Sequence, residues 1–187
     1  MTQSQGLSSP ASGGTLREII DDPERLAAVA GTGLIQDGRP DPVLYRLARQ
    51  ARRVLDVPTV FLSVLDDERQ YFAAADGLSA SLTAAGSTPL SHAFCLYTVG
   101  QGKALVVPDA RVDERLAGNP AIAEHGTVAY VGVPVLTAER QPIGALCATD
   151  VVPRFWSLEQ VGVLHDLAAE AALRLEQRTA ERSGEPG

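Results

Sequence analysis

The sequence is poor in cysteine, in basic residues and in long hydrophobic runs, and each shortage excludes a class of protein. Two cysteines among 187 residues cannot form a disulfide scaffold, which favours a reducing compartment. Sixteen basic against 23 acidic residues give a formal charge of -7, which disfavours nucleic-acid binding. Every apolar run is interrupted before the roughly 20 residues of a membrane helix. The N-terminus also lacks a signal-peptide pattern, so we expect no membrane contact and a cytoplasmic location.

Recognisable metal and catalytic motifs are also missing. The only histidines are His92, His125 and His165, which are too scattered for metal-ligand spacing, and neither HxxxH nor CxxC occurs. We therefore predict no metal site and no catalytic residues, and we name no cofactor. For His92, hydrogen bonding to a ligand or axial binding of haem is the functional alternative to the more common surface or helix-capping role.

The most informative segment that is present runs from 128 to 151. Two apolar runs rich in β-branched residues flank the polar residues 138 to 141, which predicts a hairpin of two central antiparallel strands. The first run places Val131, Val133 and Val135 on one face and Val128, Tyr130 and Leu136 on the other. Because neither face shows polar alternation, we expect the hairpin to be covered on both sides.

The remaining elements follow from helix caps, apolar periodicity and turn residues. The predictions are a helix from Asp22 to Gly31, a longer helix from Asp41 that ends before Pro58, strands at 59–65 and 69–75, a loop at 77–89, a short helix at 91–102, a strand at 104–107, a long connection with one helical turn at 121–124, and a last helix from Ser157 to about Arg178.

This order of elements indicates an α+β fold with an antiparallel sheet of five to six strands. We expect the N- and C-terminal helices to pack on one face, and the short helix and long loop to cover the other. A small cavity is expected between the sheet and the region from Ser91 to Asn119. Residues 1 to 14 and 179 to 187 are predicted to be disordered tails around a single domain from 15 to 178.

Several segments resemble the GAF domain, a small-ligand sensory module of bacterial signalling proteins. The segment from Gly33 to Phe72 and then SHAFC, LVVPDARVDERLAGNPAI, VAYVGVP, IGALCATD and PRFWS follow in the order and spacing of that family, over roughly residues 23 to 175. The resemblance implies a sensory or regulatory unit that dimerises through its terminal helices. Because no output domain is recognised after the last helix, we expect the protein to act through a separate signalling partner, or as a dimer whose own shape change is sensed in another way.

Differences from better known members of the family exclude some classes of ligand and activity. The NKFDE-type residues of cyclic-nucleotide binders are missing, and Cys95 is followed by Leu96 and Tyr97 where bilin binders carry histidine. A related branch reduces free methionine sulfoxide with several cysteines, a pattern that Cys95 and Cys147 do not reproduce. We therefore predict a binding protein rather than an enzyme. A cysteine-dependent reductase and a ligand-free interaction module are kept as alternatives.

Eight residues are the candidate ligand-binding set. Arg111 or Arg115 could clamp a carboxylate or phosphate, although Asp109 could equally form a local turn with these arginines paired to nearby acids. The aromatic rings could line the cavity or simply pack in the core. The full set is Phe61, His92, Phe94, Cys95, Asp109, Arg111, Arg115 and Tyr130.

The last helix carries an apolar stripe with two possible uses. Its members recur at alternating spacings of three and four, as in helices that pair across a dimer. The same stripe could instead pack on the sheet. It comprises Val161, Leu164, Ala168, Ala171 and Leu175. The favoured interpretation of the whole chain is a homodimeric sensory domain that binds an unidentified small molecule.

Overall fold

The computed structural model describes residues 15–38 and 40–184. Within them, the helices are α1 (Leu16–Ile20), α2 (Pro23–Gly31), α3 (Leu34–Asp37), α4 (Pro42–Leu55), α5 (Ala80–Ala85), α6 (Cys95–Gln101), α7 (Pro120–His125) and α8 (Leu158–Ser183). The strands are β1 (Thr59–Leu65), β2 (Arg69–Asp76), β3 (Ser87–Pro89), β4 (Leu105–Val107), β5 (Ala129–Leu136) and β6 (Pro142–Asp150). None of the described helices is long and apolar enough to span a bilayer.

The six strands form one antiparallel sheet in the order β3-β2-β1-β6-β5-β4. Both predicted hairpins are confirmed, since β1 pairs with β2 and β5 pairs with β6. The turn between β5 and β6 places Arg140 at a positive φ of 65°. The predicted α+β class and the count of five to six strands are correct.

Residues along the central strands alternate between two hydrophobic cores. On β5, Val131 and Val133 join the core beneath α4 and α8, whereas Tyr130 joins the core on the opposite face. On β6, Leu146 and Cys147 divide in the same way. The sheet is therefore covered on both sides, as the lack of polar alternation predicted.

A buried carboxylate fixes the two long helices on the first face. Asp41 caps α4 by accepting hydrogen bonds from the backbone N–H groups of Val43 and Leu44. Its other oxygen accepts from Arg174 of α8 at 2.8 Å, and Arg178 lies 3.7 Å away. The predicted helix cap thus also joins the start of α4 to the end of α8.

The apolar stripe of α8 packs on the sheet. Leu164, Ala168, Ala171 and Leu175 are all buried within the core of the same chain, so they are not available to a second copy. Of the two uses considered for this stripe, the structure supports packing on the sheet.

Three features differ from the sequence expectations. Helix α1 was not predicted, and it packs on α6 on the face opposite α4 and α8. The predicted loop at 77–89 contains α5 and the edge strand β3. Helix α8 runs to Ser183 rather than ending near Arg178, so part of the predicted tail at 179–187 is helical. The predicted tail at 1–14 lies outside the described residues.

Candidate functional site

A cavity of about 430 Å³ lies on the face of the sheet opposite α4 and α8. Its floor comes from β1, β2, β5 and β6. Its cover comes from the turn before α5, from the segment 88–94 and from α7. Residues 108 to 119 contribute nothing to its walls, so the first part of the long predicted connection covers the sheet beside the cavity, whereas its last part, with α7 and Thr127, covers the cavity itself.

Aromatic rings form the apolar part of the cavity wall. Phe61 and Phe72, on the paired strands β1 and β2, meet edge to face with ring centroids 5.3 Å apart. Phe94 and Tyr130 make a second such pair at 5.6 Å. Edge-to-face pairs of this kind hold their rings in fixed orientations, so the wall is a preformed surface for a flat or apolar ligand.

Two buried polar atoms in the cavity wall lack a hydrogen-bond partner within the described part of the chain. They are the Thr88 hydroxyl oxygen and His125 Nε2. An unpaired buried polar atom costs free energy, so such atoms are uncommon in folded proteins and mark places where a further group can bind. A ligand that enters the cavity can complete both of these sites.

His92, Glu124 and His125 meet at one end of the cavity. His92 Nε2 lies 3.1 Å from a carboxylate oxygen of Glu124, and the rings of His92 and His125 are 5.8 Å apart between centroids. The potential ligand atoms of the three residues all lie within 4.8 Å of one another. Their scattered positions in the sequence had predicted no metal site, whereas the fold assembles a donor set that could hold one.

The two thiols lie beneath the cavity rather than in its wall. Cys95 donates to Gln70 Oε1 at 2.6 Å, and the Ser63 hydroxyl approaches its sulfur at 3.4 Å. Cys147 lies 3.2 Å from the Tyr130 hydroxyl. Complete burial raises the pKa of the Cys147 thiol well above its ordinary value, which keeps it protonated and a poor nucleophile at neutral pH.

Comparison with known proteins identifies the family of this fold. The family model of the GAF domain matches residues 39 to 175. The chain belongs to the GAF domain family. The resemblance found in its motifs is thereby confirmed.

One relative of this GAF domain is a cyclic di-GMP phosphodiesterase of Pseudomonas aeruginosa. The two are 33% identical over 135 residues, which is 72% of this chain and 22% of that protein. The chain therefore matches only a small part of the phosphodiesterase.

Solved structures share the fold at low sequence identity. The GAF domain of an Acinetobacter phosphoenolpyruvate-protein phosphotransferase superposes with a TM-score of 0.61 at 19% identity, covering 86% of this chain and 97% of that one. A free methionine-R-sulfoxide reductase of Neisseria meningitidis, in complex with its substrate, gives 0.59 at 18% identity, covering 97% and 99%. At such identities these likenesses show the fold alone.

The predicted binding residues divide into two groups in this GAF domain. Four of the eight line the cavity, and Cys95 lies behind Gln70. Arg111 pairs with Asp109, and Arg115 pairs with Asp113. Each arginine lowers the pKa of the aspartate with which it pairs, and the largest cause is the side-chain hydrogen bond between them. The four that line the cavity are Phe61, His92, Phe94 and Tyr130.

The arginine clamp is the part of the site prediction that the geometry does not support. Each aspartate also accepts the backbone N–H of its own arginine, which is the local turn that the sequence allowed as the alternative. Neither arginine is among the residues that line the cavity.

Sequence reasoning missed several wall residues for identifiable reasons. Thr88 lies in a strand that was interpreted as loop, and Gln70 and Phe72 lie in a strand whose facing was not assigned. Glu124 ends the predicted helical turn at 121–124 and His125 directly follows it, but that turn was not linked to the cavity. The His125 side chain, one of only three imidazoles, was the single chemical signal that could have found this end of the site.

Alkaline pH is expected to destabilise the fold through Cys147 and Tyr130. Burial raises the pKa of both groups, so at alkaline pH they keep their protons in the folded state and lose them in the unfolded state. The contribution of Cys147 is complete below a pH of about 8.5, the ordinary thiol pKa, and that of Tyr130 below about 10; each is lost as the pH rises further, by up to about 1.4 kcal/mol per pH unit. Urea unfolding from neutral to alkaline pH measures the slope.

The matched variant for this test is Cys147→Ala. It is expected to be less stable at neutral pH, because it leaves a small cavity, but to lose stability less steeply between a pH of about 8.5 and 10. Identical slopes for the two proteins would contradict the assignment to Cys147.

Proposed function

We propose that this GAF domain is a regulatory module in bacterial signal transduction that senses a small molecule bound in the aromatic cavity. The observation that carries the proposal is the combination of preformed aromatic walls with two buried polar atoms, Thr88 Oγ1 and His125 Nε2, that have no hydrogen-bond partner among residues 15–38 and 40–184. A cavity filled by its own side chains would have no reason to keep either polar atom unpaired.

The charges around the cavity define the class of ligand. Among the described residues that line it, Glu124 and Asp150 are acidic and none is lysine or arginine. Phosphate and carboxylate groups need cationic or backbone N–H partners, so anionic ligands are disfavoured. The volume of about 430 Å³ is at the lower end of the range for small-molecule sites. We propose a compact, neutral or cationic ligand with a flat apolar body.

Ligand binding can be transmitted through the cover of the cavity. Helix α6 begins directly after Phe94, a wall residue, and α1 packs against α6 where the Leu16 side chain meets Gly100. A ligand that prefers one position of Phe94 would therefore shift α6 and, through it, α1. The signal would be read by a partner protein or a second copy of the chain at the terminal helices.

We propose a binding module in preference to a thiol reductase. Solved reductases that act on free methionine sulfoxide share the fold, but Cys95 and Cys147 lie outside the wall of the cavity and Cys147 is held protonated. A reductase needs an accessible thiolate. We also propose that the chain is cytosolic and forms a homodimer through its terminal helices, where Leu158 and Leu173 stay exposed on α8.

Native mass spectrometry of the freshly purified chain tests binding and assembly together. The expected spectrum shows a dimer in which each chain retains one small molecule, and denaturation releases that molecule for identification. A spectrum of bare chains, unchanged after incubation with cell extract, would contradict the sensing role. A monomer that retains the ligand would contradict only the homodimer.

Thr88→Val is expected to separate ligand binding from stability. The substitution removes a buried hydroxyl that no other described residue bonds, while keeping the shape of the side chain, so the free energy of unfolding should rise by about 1 kcal/mol. The same change should reduce the fraction of chains that retain the small molecule. Urea unfolding and native mass spectrometry give the two measurements.

Thr98→Val is the control for this variant. The Thr98 hydroxyl is buried but bonded to the Tyr130 hydroxyl at 2.9 Å, and it lies outside the cavity wall. Its loss should lower stability by about 1 kcal/mol and leave ligand retention unchanged. A Thr88→Val protein that is less stable, yet binds normally, would show that Thr88 is not a ligand-facing group.

A further inference from the structure

The cluster of His92, Glu124 and His125 has the composition of a transition-metal site. Two imidazoles and one carboxylate form a donor set that binds zinc and its neighbours in the first transition series. His92 follows the edge strand β3, whereas Glu124 and His125 end α7, so the fold alone brings the donors together. Their donor atoms fall within 4.8 Å of one another.

The distances suit a shared cation after a small adjustment. Ligand atoms about 2.0–2.1 Å from a tetrahedral zinc ion are about 3.3 Å apart. His92 Nε2 and the Glu124 carboxylate already lie at 3.1 Å. The Glu124 side chain is 59% exposed, so it can rotate toward both imidazoles without disturbing the core.

Two further contacts distinguish this cluster from a chance meeting of side chains. The Ser91 hydroxyl lies 3.0 Å from His92 Nδ1, which orients the ring so that Nε2 faces Glu124. Metal-binding histidines commonly have such a partner on the second nitrogen. His125 Nε2 is buried and has no partner among the described residues, although a buried imidazole nitrogen ordinarily bonds to something.

We propose that His92, Glu124 and His125 bind a divalent transition-metal cation of the zinc class at the end of the cavity. Three protein ligands leave a coordination position free, and the cluster lines the cavity, so that position is directed to the space where a small molecule would bind. With the cation in place, that molecule would be neutral rather than cationic and would meet His125 through the metal. The proposal does not require an organic ligand, because the donors are all supplied by the chain.

Titration of the chelator-treated, tag-free chain with Co²⁺ tests the proposal. Cobalt accepts the same ligands as zinc and reports its coordination by visible absorption. The expected result is one tightly bound Co²⁺ per chain, displaced by Zn²⁺, with no thiolate charge-transfer band because the cysteines are not ligands. Absence of saturable binding would overturn the proposal.

Single substitutions assign the ligands. Both His125→Ala and Glu124→Gln are expected to weaken Co²⁺ binding by about 100-fold or more, beyond the roughly 10- to 100-fold loss typical of residues around the ligands. Glu124 is exposed enough that its variant should fold normally, which circular dichroism checks.

The third histidine of the chain supplies a matched control. His165 lies exposed on α8, on the opposite side of the sheet, and His165→Ala should bind Co²⁺ as the unchanged chain does. Equal losses in the His165 and His125 variants, or unchanged affinity in the Glu124 variant, would show adventitious surface binding and refute the site. Because the cation is titrated directly, this outcome is independent of whether a small molecule is retained.

Discussion

Replacing Arg25 with alanine is expected to lower the free energy of unfolding by about 3–5 kcal/mol. Arg25 is fully buried, and its guanidinium donates to the backbone carbonyl oxygens of Ile20, Leu65 and Asp66. These carbonyls belong to the end of α1, to the last residue of β1 and to the turn between β1 and β2. The substitution leaves these buried carbonyl oxygens without donors and also creates a cavity. Both losses act at the junction between α1 and the β1–β2 turn.

Burial also makes the charge of Arg25 costly, so the alanine and lysine variants are expected to differ in stability. Burial lowers the pKa of Arg25 from its ordinary value, and nearby Asp22 and Asp66 oppose that shift. The group is kept charged by its carbonyl partners and these acids, so removing the whole side chain is worse than replacing it with lysine. Arg25→Lys should lose less than Arg25→Ala, because it keeps the charge but not the planar fork.

Arg17→Ala is the control for the junction. Arg17 lies on α1 and donates to the carbonyl of Asp67, but its side chain is 64% exposed and it pairs with Asp21 at the surface. Surface contacts of this kind contribute less than about 1 kcal/mol. Urea unfolding of the three variants measures the order, and equal losses for Arg17 and Arg25 would mean that burial does not decide the effect.

Gly144→Ala is expected to destabilise the protein by more than about 3 kcal/mol or to prevent folding. A Cβ atom at Gly144 would overlap the carbonyl oxygen of Ser63 in the neighbouring strand. Strand β6 lies between β1 and β5 and pairs with both, so its backbone cannot move away from one without losing hydrogen bonds to the other. The clash involves backbone on both sides, and no side-chain rotation relieves it.

Gly162→Ala is the matched control, with the opposite expected sign. Gly162 lies on the exposed face of α8, where an added Cβ would meet no atom within 4 Å. Alanine in an exposed helical position should raise stability by about 0.5–1 kcal/mol. Thermal and urea unfolding of both variants provide the comparison. Loss of stability in the Gly162 variant would indicate that this face of α8 contacts another chain.

Local sequence signals were sufficient for most of the fold. Asp22 with Pro23 and Asp41 with Pro42 marked the starts of α2 and α4, because capping carboxylates and proline at the first turn act within a few residues. The apolar runs of β5 and β6 predicted a hairpin covered on both faces, because the absence of polar alternation is also visible within a few residues. The edge strand β3 was missed since it has only three residues, and its strand state depends on pairing with β2.

The candidate site was less predictable than the fold. Phe61 and Tyr130 could be proposed as cavity residues from their aromatic rings and their places on strands, with core packing as the alternative. The pairing of His92 with Glu124 was beyond such rules, since it depends on how β3 and α7 approach each other. The arginines of the 109–115 segment were attractive by residue type, but each is paired with an aspartate two positions before it.

The amino-acid sequence by itself determined the α+β class, the order of the main helices and strands, and membership of the GAF family, because caps, periodicity and turn residues act over short distances. Tertiary structure alone decided which polar groups meet. It set the two thiols beneath the cavity wall, left Thr88 Oγ1 and His125 Nε2 without a partner in the described part of the chain, and assembled a histidine–carboxylate cluster from separate segments. Hydrogen bonds and metal coordination require contact within a few ångströms, and only packing produces that contact.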